Sequence, residues 1–147
     1  MPFNRLLTVW NQMDEVIAMK TVLISILAVV LSCSWTLGED KPVHKDVKPD
    51  EFERLAMEPD TVILDVRSPK EYAAGHIKNS VLIDFNARDF EEKVKQLDRS
   101  KTYLVHCAVG GRSAKACSKM DGFDFPKVYN LEGGIKAWEK AGKPVEK

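Results

Sequence analysis

The 147-residue chain carries no net charge: 22 lysines and arginines balance 22 aspartates and glutamates. It therefore lacks the one-signed field that draws in nucleic acids and other polyelectrolytes. Aromatics make up only 8 % of the residues, and no basic run is interleaved with them. That argues against an aromatic-and-cation platform for RNA or DNA. Nothing repeats at a spacing of about 20 to 50 residues, and no segment is of low complexity, so solenoids and propellers are excluded. What remains is enough chain for one domain with a real core and too little for two.

Long apolar runs are also missing, with one exception. Met19-Lys20 precedes 18 uncharged residues, 21–38, whose apolar heart is 22–31. A basic residue, a short apolar stretch and then small residues is the layout of a secretory signal. Asp14 and Glu15 sit where such a signal wants positive charge, which a translation start at Met19 would explain. Val30-Leu31-Ser32-Cys33 looks like a bacterial lipobox, in which Cys33 becomes the lipidated first residue. A plain signal cut between Ser34 and Gly38, and an uncleaved anchor at the low edge of a membrane span, are the alternatives. Each places the domain outside the cytoplasm, in a bacterial cell envelope on its periplasmic or outer-surface side, with a membrane tether in the first and third cases. The organisation expected is an export segment over 1–38, a charged, proline-containing linker over 39–48, and a domain over 49–147.

With Cys33 assigned to export, two cysteines remain. Cys107 precedes a helix and Cys117 lies more than a turn inside it, so separation along the axis disfavours a disulfide. Cys117 shares a helical face with Ala114 and Met120 and reads as core.

From Pro49 helical and strand-like segments alternate. Pro49-Asp50 opens a helix that turns Phe52, Leu55 and Ala56 inward and stops before Pro59. Thr61-Val62-Ile63-Leu64-Asp65-Val66 is a strand of the kind buried on both faces. Ser68-Pro69 caps a short helix ended by Gly75. Val81-Leu82-Ile83 is a second strand, 87–97 a helix, 102–106 a third strand, Lys127-Val128-Tyr129 a fourth, and 134–141 a helix with Trp138 packed and Gly142 at its end. Such alternation predicts an α/β fold with a parallel sheet of about five strands flanked by helices on both faces. Ligands then sit beyond the carboxyl ends of the strands, where Asp65, His106 and Cys107 all fall.

Val105-His106-Cys107-Ala108-Val109-Gly110-Gly111-Arg112-Ser113 is the most reactive-looking stretch. A strand ends on a cysteine, glycines let the backbone curl over the sulfur, and a helix begins with its unpaired N–H groups and positive dipole end. A free thiol has a pKa of about 8.5, and such surroundings bring it to roughly 7 or below, where it is a nucleophile.

Leu64-Asp65-Val66-Arg67 with Glu71-Tyr72 and Gly75-His76-Ile77 resembles the early signature of the rhodanese family. The loop 107–112 and Asn130-Leu131-Glu132-Gly133-Gly134-Ile135 with Trp138 resemble its second half. Four residues separate Cys107 from Arg112, as in the family's sulfurtransferases. The related phosphatases and arsenate reductases place five there, a wider cradle for a tetrahedral oxyanion.

The resemblance implies a rhodanese-like fold and a two-step sulfur transfer. Cys107 thiolate takes a sulfane sulfur from thiosulfate, a polysulfide or a persulfide, and a thiophilic acceptor then removes it. The amides of Ala108, Val109, Gly110, Gly111 and Arg112 are expected to ring the persulfide, with Gly111 turning them inward. Arg112 binds an anionic donor or ties the loop to neighbouring carboxylates. Asp65 accepts backbone hydrogen bonds at its strand end. Arg67 is expected to pair with Glu71 across one helical turn. His76 packs locally, and His106 points away from Cys107 on the strand. The family's thiosulfate users often carry a cation just after the cysteine, whereas this chain has Ala108 and Val109, which weakens the case for a doubly charged donor. The expectation is a monomeric enzyme without cofactor or metal, served by a small sulfur donor and a thiol acceptor. A persulfide carrier with little turnover is the alternative, with a phosphatase or arsenate reductase behind it.

Overall fold

Val62, Ile63 and Leu64 follow one another without a polar break, as do Tyr103, Leu104 and Val105, and runs of this kind need cover on both faces. A computed structural model describes residues 44–147 and supplies that cover. The export segment, Cys33 and residues 39–43 lie outside the described residues. Strand β1 (Lys45–Val47), helix α1 (Pro49–Ala56), β2 (Thr61–Asp65), α2 (Pro69–Ala74), β3 (Val81–Leu82), α3 (Phe90–Lys95), β4 (Thr102–His106), α4 (Gly111–Gly122), β5 (Val128–Leu131) and α5 (Gly134–Lys140) follow in order. The sheet order is β1-β5-β4-β2-β3, and every pairing is parallel. Among the described residues no helix is long and apolar enough to cross a membrane.

Period-2 alternation divides the strands between two cores. Ile63 and Leu104 face Phe52 and Leu55 of α1 and Ile135 and Trp138 of α5. Leu64, Val105 and Cys107 face the opposite way, toward Phe90 and Val94 of α3 and Cys117 and Met120 of α4. His106 therefore lies on the α1 face, its ring edge-on to Phe52 with centroids 6.4 Å apart. Cys107 enters the α4 side.

The structure differs from expectation in several places, among them the last strand, which runs from Val128 to Leu131 and not from Lys127 to Tyr129. The stretch read as linker ends in β1, whose Lys45, Asp46 and Val47 pair with Tyr129, Asn130 and Leu131. Charge made it look like a spacer, yet an edge strand needs only one apolar face, and charges on an edge discourage further pairing. His44 joins the domain as well: its amide and its Nδ1 reach the Asp121 carboxylate at 3.0 and 2.6 Å. Helix α3 is shorter than 87–97 because Asp84 first takes the Asn86 amide at 2.9 Å, forming a turn that competes with helix. On α4, Ala114 is half-buried, and Ser113, Ala116, Cys117 and Met120 make up the buried face.

Candidate active site

β4 and β2 are neighbours in register, with Asp65 opposite His106. The segments leaving their carboxyl ends therefore face each other across the top of the sheet, and they build the site.

Cys107 follows the last residue of β4 and is 1 % exposed. Gly110 adopts φ +94°, a left-handed conformation that brings its N–H back over the sulfur at 3.2 Å. Ser113, on the first turn of α4, adds its hydroxyl at 3.4 Å. Burial pushes the Cys107 thiol up, but the Ser113 hydroxyl and the amides of Ser113, Val109 and Gly110 outweigh it, so the thiol ionises below its ordinary range.

The loop's other side is held by α5. The amides of Ile135 and Lys136 donate to the carbonyls of Cys107 and Ala108, at 2.8 and 3.2 Å. Those carbonyls are turned outward into the unpaired amides of a helix start, which leaves the loop's own N–H groups free to face the sulfur. The close approach needs Gly134. A Cβ there would run into the Cys107 carbonyl oxygen and stand 2.7 Å from Ala108 C and Val109 N.

Arg112 closes the loop by pairing with Glu71 of α2. Its two terminal nitrogens donate to the two carboxylate oxygens at 2.9 and 2.6 Å, a fork-on-fork pair. Glu71 is aimed by the helix cap beneath it: its carboxylate accepts from the Ser68 amide at 3.0 Å, and the Ser68 hydroxyl accepts the Glu71 amide in return. The Arg112 guanidinium, with help from Ser68, holds the Glu71 carboxyl well below the usual carboxylate range. Glu71, and then Cys107, hold Arg112 all the more firmly protonated.

Residues 48–141 match the profile of the family described as Rhodanese-like domain. The chain belongs to this family. A tRNA uridine(34) hydroxylase of Cytophaga hutchinsonii is 40 % identical over 111 residues, 72 % of this chain and 36 % of that protein. The chain thus spans about a third of the length of that relative. A Bacillus subtilis protein provisionally named a sulfurtransferase is 37 % identical over 92 residues, 63 % of this chain and 86 % of its own. The crystal structure of a rhodanese-related protein from Thermoplasma volcanium superposes with a TM-score of 0.63 at 34 % identity, covering 70 % of this chain and 98 % of its own.

Within this rhodanese-like domain the residues singled out from sequence divide into two groups. Cys107, Val109, Gly110 and Arg112 converge on one spot, with Ala108 half-buried and Val109 61 % exposed beside it. Asp65 and Arg67 form a support below. Arg67 does not pair with Glu71 as expected. Its Nε and one terminal nitrogen donate to Asp65 at 2.6 to 2.9 Å, and that same nitrogen reaches the Gly75 carbonyl at 2.7 Å. The burial of Asp65, which is fully enclosed, decides this: a buried carboxylate needs a cation more than an exposed one does.

Gly111 also differs from expectation, since its φ is not positive and a Cβ there would meet nothing within 4 Å. Gly110 performs the turn instead. His106 is wholly buried with neither ring nitrogen hydrogen-bonded, and its Nε2 stands 3.6 Å from Asp65. Burial pushes its pKa down to about 4, Asp65 opposing and Arg67 assisting, so the ring is neutral at ordinary pH. His76 stacks on Tyr72 with centroids 4.0 Å apart.

Sequence reasoning missed Ser113 and the part played by Glu71. Ser113 was legible in one respect: six residues after a cysteine that ends a strand, it falls on the first helical turn facing the loop.

Proposed function

We propose that this domain transfers sulfane sulfur through a persulfide on Cys107. The observation that carries the reading is the Cys107 sulfur itself, held at the end of β4 with the Gly110 amide at 3.2 Å and the Ser113 hydroxyl at 3.4 Å. Donors placed so close favour the thiolate and the negatively charged persulfide that replaces it.

In the first step the Cys107 thiolate attacks the outer sulfur of a donor. The S–S bond of the donor breaks, its electron pair leaves on sulfite, a thiolate or a sulfinate, and Cys107–S–S⁻ remains. In the second step an acceptor such as cyanide or a thiolate attacks the outer sulfur and restores the Cys107 thiolate. Charge balances in both steps and no external oxidant or reductant enters. The ring of six residues from Cys107 to Arg112 suits a single sulfur atom better than a tetrahedral oxyanion. The name of the Bacillus subtilis relative supports the same chemistry.

Intact mass after treatment with a sulfur donor is expected to show one added sulfur atom, removed by cyanide and absent from Cys107→Ser. Identical masses and equal turnover in the two proteins would overturn the assignment. We propose also that the domain works in a bacterial cell envelope, on the strength of residues 19–38, as a monomer serving a small sulfur donor and a thiol acceptor. A mature N-terminus at an acylated Cys33 is the expected result, and a chain retaining residues 1–38 in a soluble cytoplasmic fraction would contradict export.

A further inference from the structure

Sulfur transfer as written above uses the loop amides, Ser113 and Cys107, and leaves Glu71 without a part. Yet Glu71 is held on the last residue of the loop from two sides. Both of its oxygens are taken by Arg112, and its position is set from the other side by the Ser68 amide and hydroxyl, at 3.0 and 2.7 Å. Arg112 is the sole cationic side chain among residues 107–112. Paired in this way its charge is spent within the protein. The neighbouring rim is apolar, with Val109 61 % exposed.

We propose that Glu71 is a specificity-determining residue of this site. By holding Arg112 in an ion pair it disfavours doubly charged donors and leaves the site to singly charged donors with an apolar group, such as persulfides of small thiols and organic thiosulfonates. The proposal rests on the Cys107 persulfide reading above. A dianion approaching the Cys107 thiolate must either displace Glu71 from Arg112 or sit beside its carboxylate, and both are unfavourable. A monoanion with an apolar tail meets half that repulsion and gains contact with Val109. For a thiosulfonate the step balances: Cys107–S⁻ attacks the outer sulfur of R–SO₂–S⁻, the S–S bond breaks, and Cys107–S–S⁻ forms as R–SO₂⁻ leaves.

The test compares Glu71→Gln with Glu71→Asp in the full chain, using thiosulfate and benzenethiosulfonate as donors and cyanide as acceptor. Glutamine at the third helical position sustains the cap with Ser68, so the charge is removed and the fold kept. In Glu71→Gln the kcat/KM ratio of thiosulfate to benzenethiosulfonate should rise by about tenfold, through the KM for thiosulfate, while Glu71→Asp keeps the wild-type ratio within about threefold. An unchanged ratio in Glu71→Gln overturns the proposal, as does an equal shift in both variants, which would mark mere positioning of Arg112.

A second readout does not need sulfur transfer at all. The rate of Cys107 alkylation by iodoacetate relative to iodoacetamide should rise several-fold in Glu71→Gln and stay level in Glu71→Asp. If no donor loads sulfur on Cys107, the persulfide reading and the donor class fail together, and the alkylation ratio alone decides the charge role. A flat ratio overturns that as well.

Discussion

The Ser113 hydroxyl stands 3.4 Å from the Cys107 sulfur and 3.0 Å from the Gly110 carbonyl oxygen, so one proton serves two acceptors. A thiolate is the stronger acceptor and a thiol the weaker, so the proton turns toward sulfur when Cys107 ionises and toward Gly110 when it does not. The exchange stabilises the anion without leaving a buried polar atom unpaired. Ser113→Ala removes the hydroxyl and leaves the amides in place. The Cys107 pKa should rise, because the Ser113 hydroxyl is the largest of the contacts that lower it. The pH dependence of iodoacetamide alkylation measures it, and an unmoved midpoint would assign the effect to the amides alone.

Gly134 and Gly142 both have positive φ, +61° and +74°, and separate conformational strain from steric conflict. A Cβ on Gly142 meets nothing within 4 Å, whereas one on Gly134 meets the loop backbone. Gly142→Ala should cost about 1 kcal/mol, and Gly134→Ala about 3 kcal/mol or more together with loss of the proposed sulfur-transfer activity. Urea unfolding of the two variants makes the comparison. Equal losses would mean that the loop yields to the added methyl group.

Asp65 and Arg67 are buried as a pair, and Arg67 also holds the Gly75 carbonyl at 2.7 Å. Asp65→Ala strands a buried guanidinium and should cost about 3 to 5 kcal/mol. The double variant Asp65→Ala, Arg67→Met removes both charges and should recover part of that loss. A double variant no more stable than Asp65→Ala would show that Arg67 acts mainly through Gly75.

His106 makes stability depend on pH in a defined window. Its folded pKa of about 4 lies below its ordinary 6.5, burial being the chief cause. Between those values the unfolded chain binds a proton that the folded one refuses, so stability falls as pH drops from 6.5 to 4 and the contribution levels off below. The loss amounts to about 3 kcal/mol. His106→Leu should flatten that stretch of the stability–pH profile measured by urea unfolding, and parallel profiles would show that other groups dominate.

Much of this was legible in the chain because it is local. The apolar runs at 62–64 and 103–105 specified buried parallel strands, and the spacing from Cys107 to Arg112 specified the size of the loop. The cap at Ser68 and the left-handed residue after α5 were equally local. Lys45, Asp46 and Val47 misled because an edge strand and a charged spacer share a composition, and the difference lies in whether a partner such as β5 is available. Arg67 misled because spacing offered Glu71 while burial offered Asp65. Gly111 misled because two adjacent glycines look alike until a φ angle separates them.

Strand–helix alternation and a cysteine at a strand end followed by a glycine loop are properties of neighbouring residues, and the amino-acid sequence alone determined them. Which charges meet is another matter. Glu71 and Arg112 are 41 positions apart and touch because β2 and β4 are adjacent in the sheet. Gly134 reaches the Cys107 carbonyl because β5 lies on the other side of β4 and delivers α5 to the loop. The order β1-β5-β4-β2-β3 places the reactive strand between the two that support it. That decision belongs to the tertiary structure, since it depends on how the whole apolar surface is buried and not on any one segment.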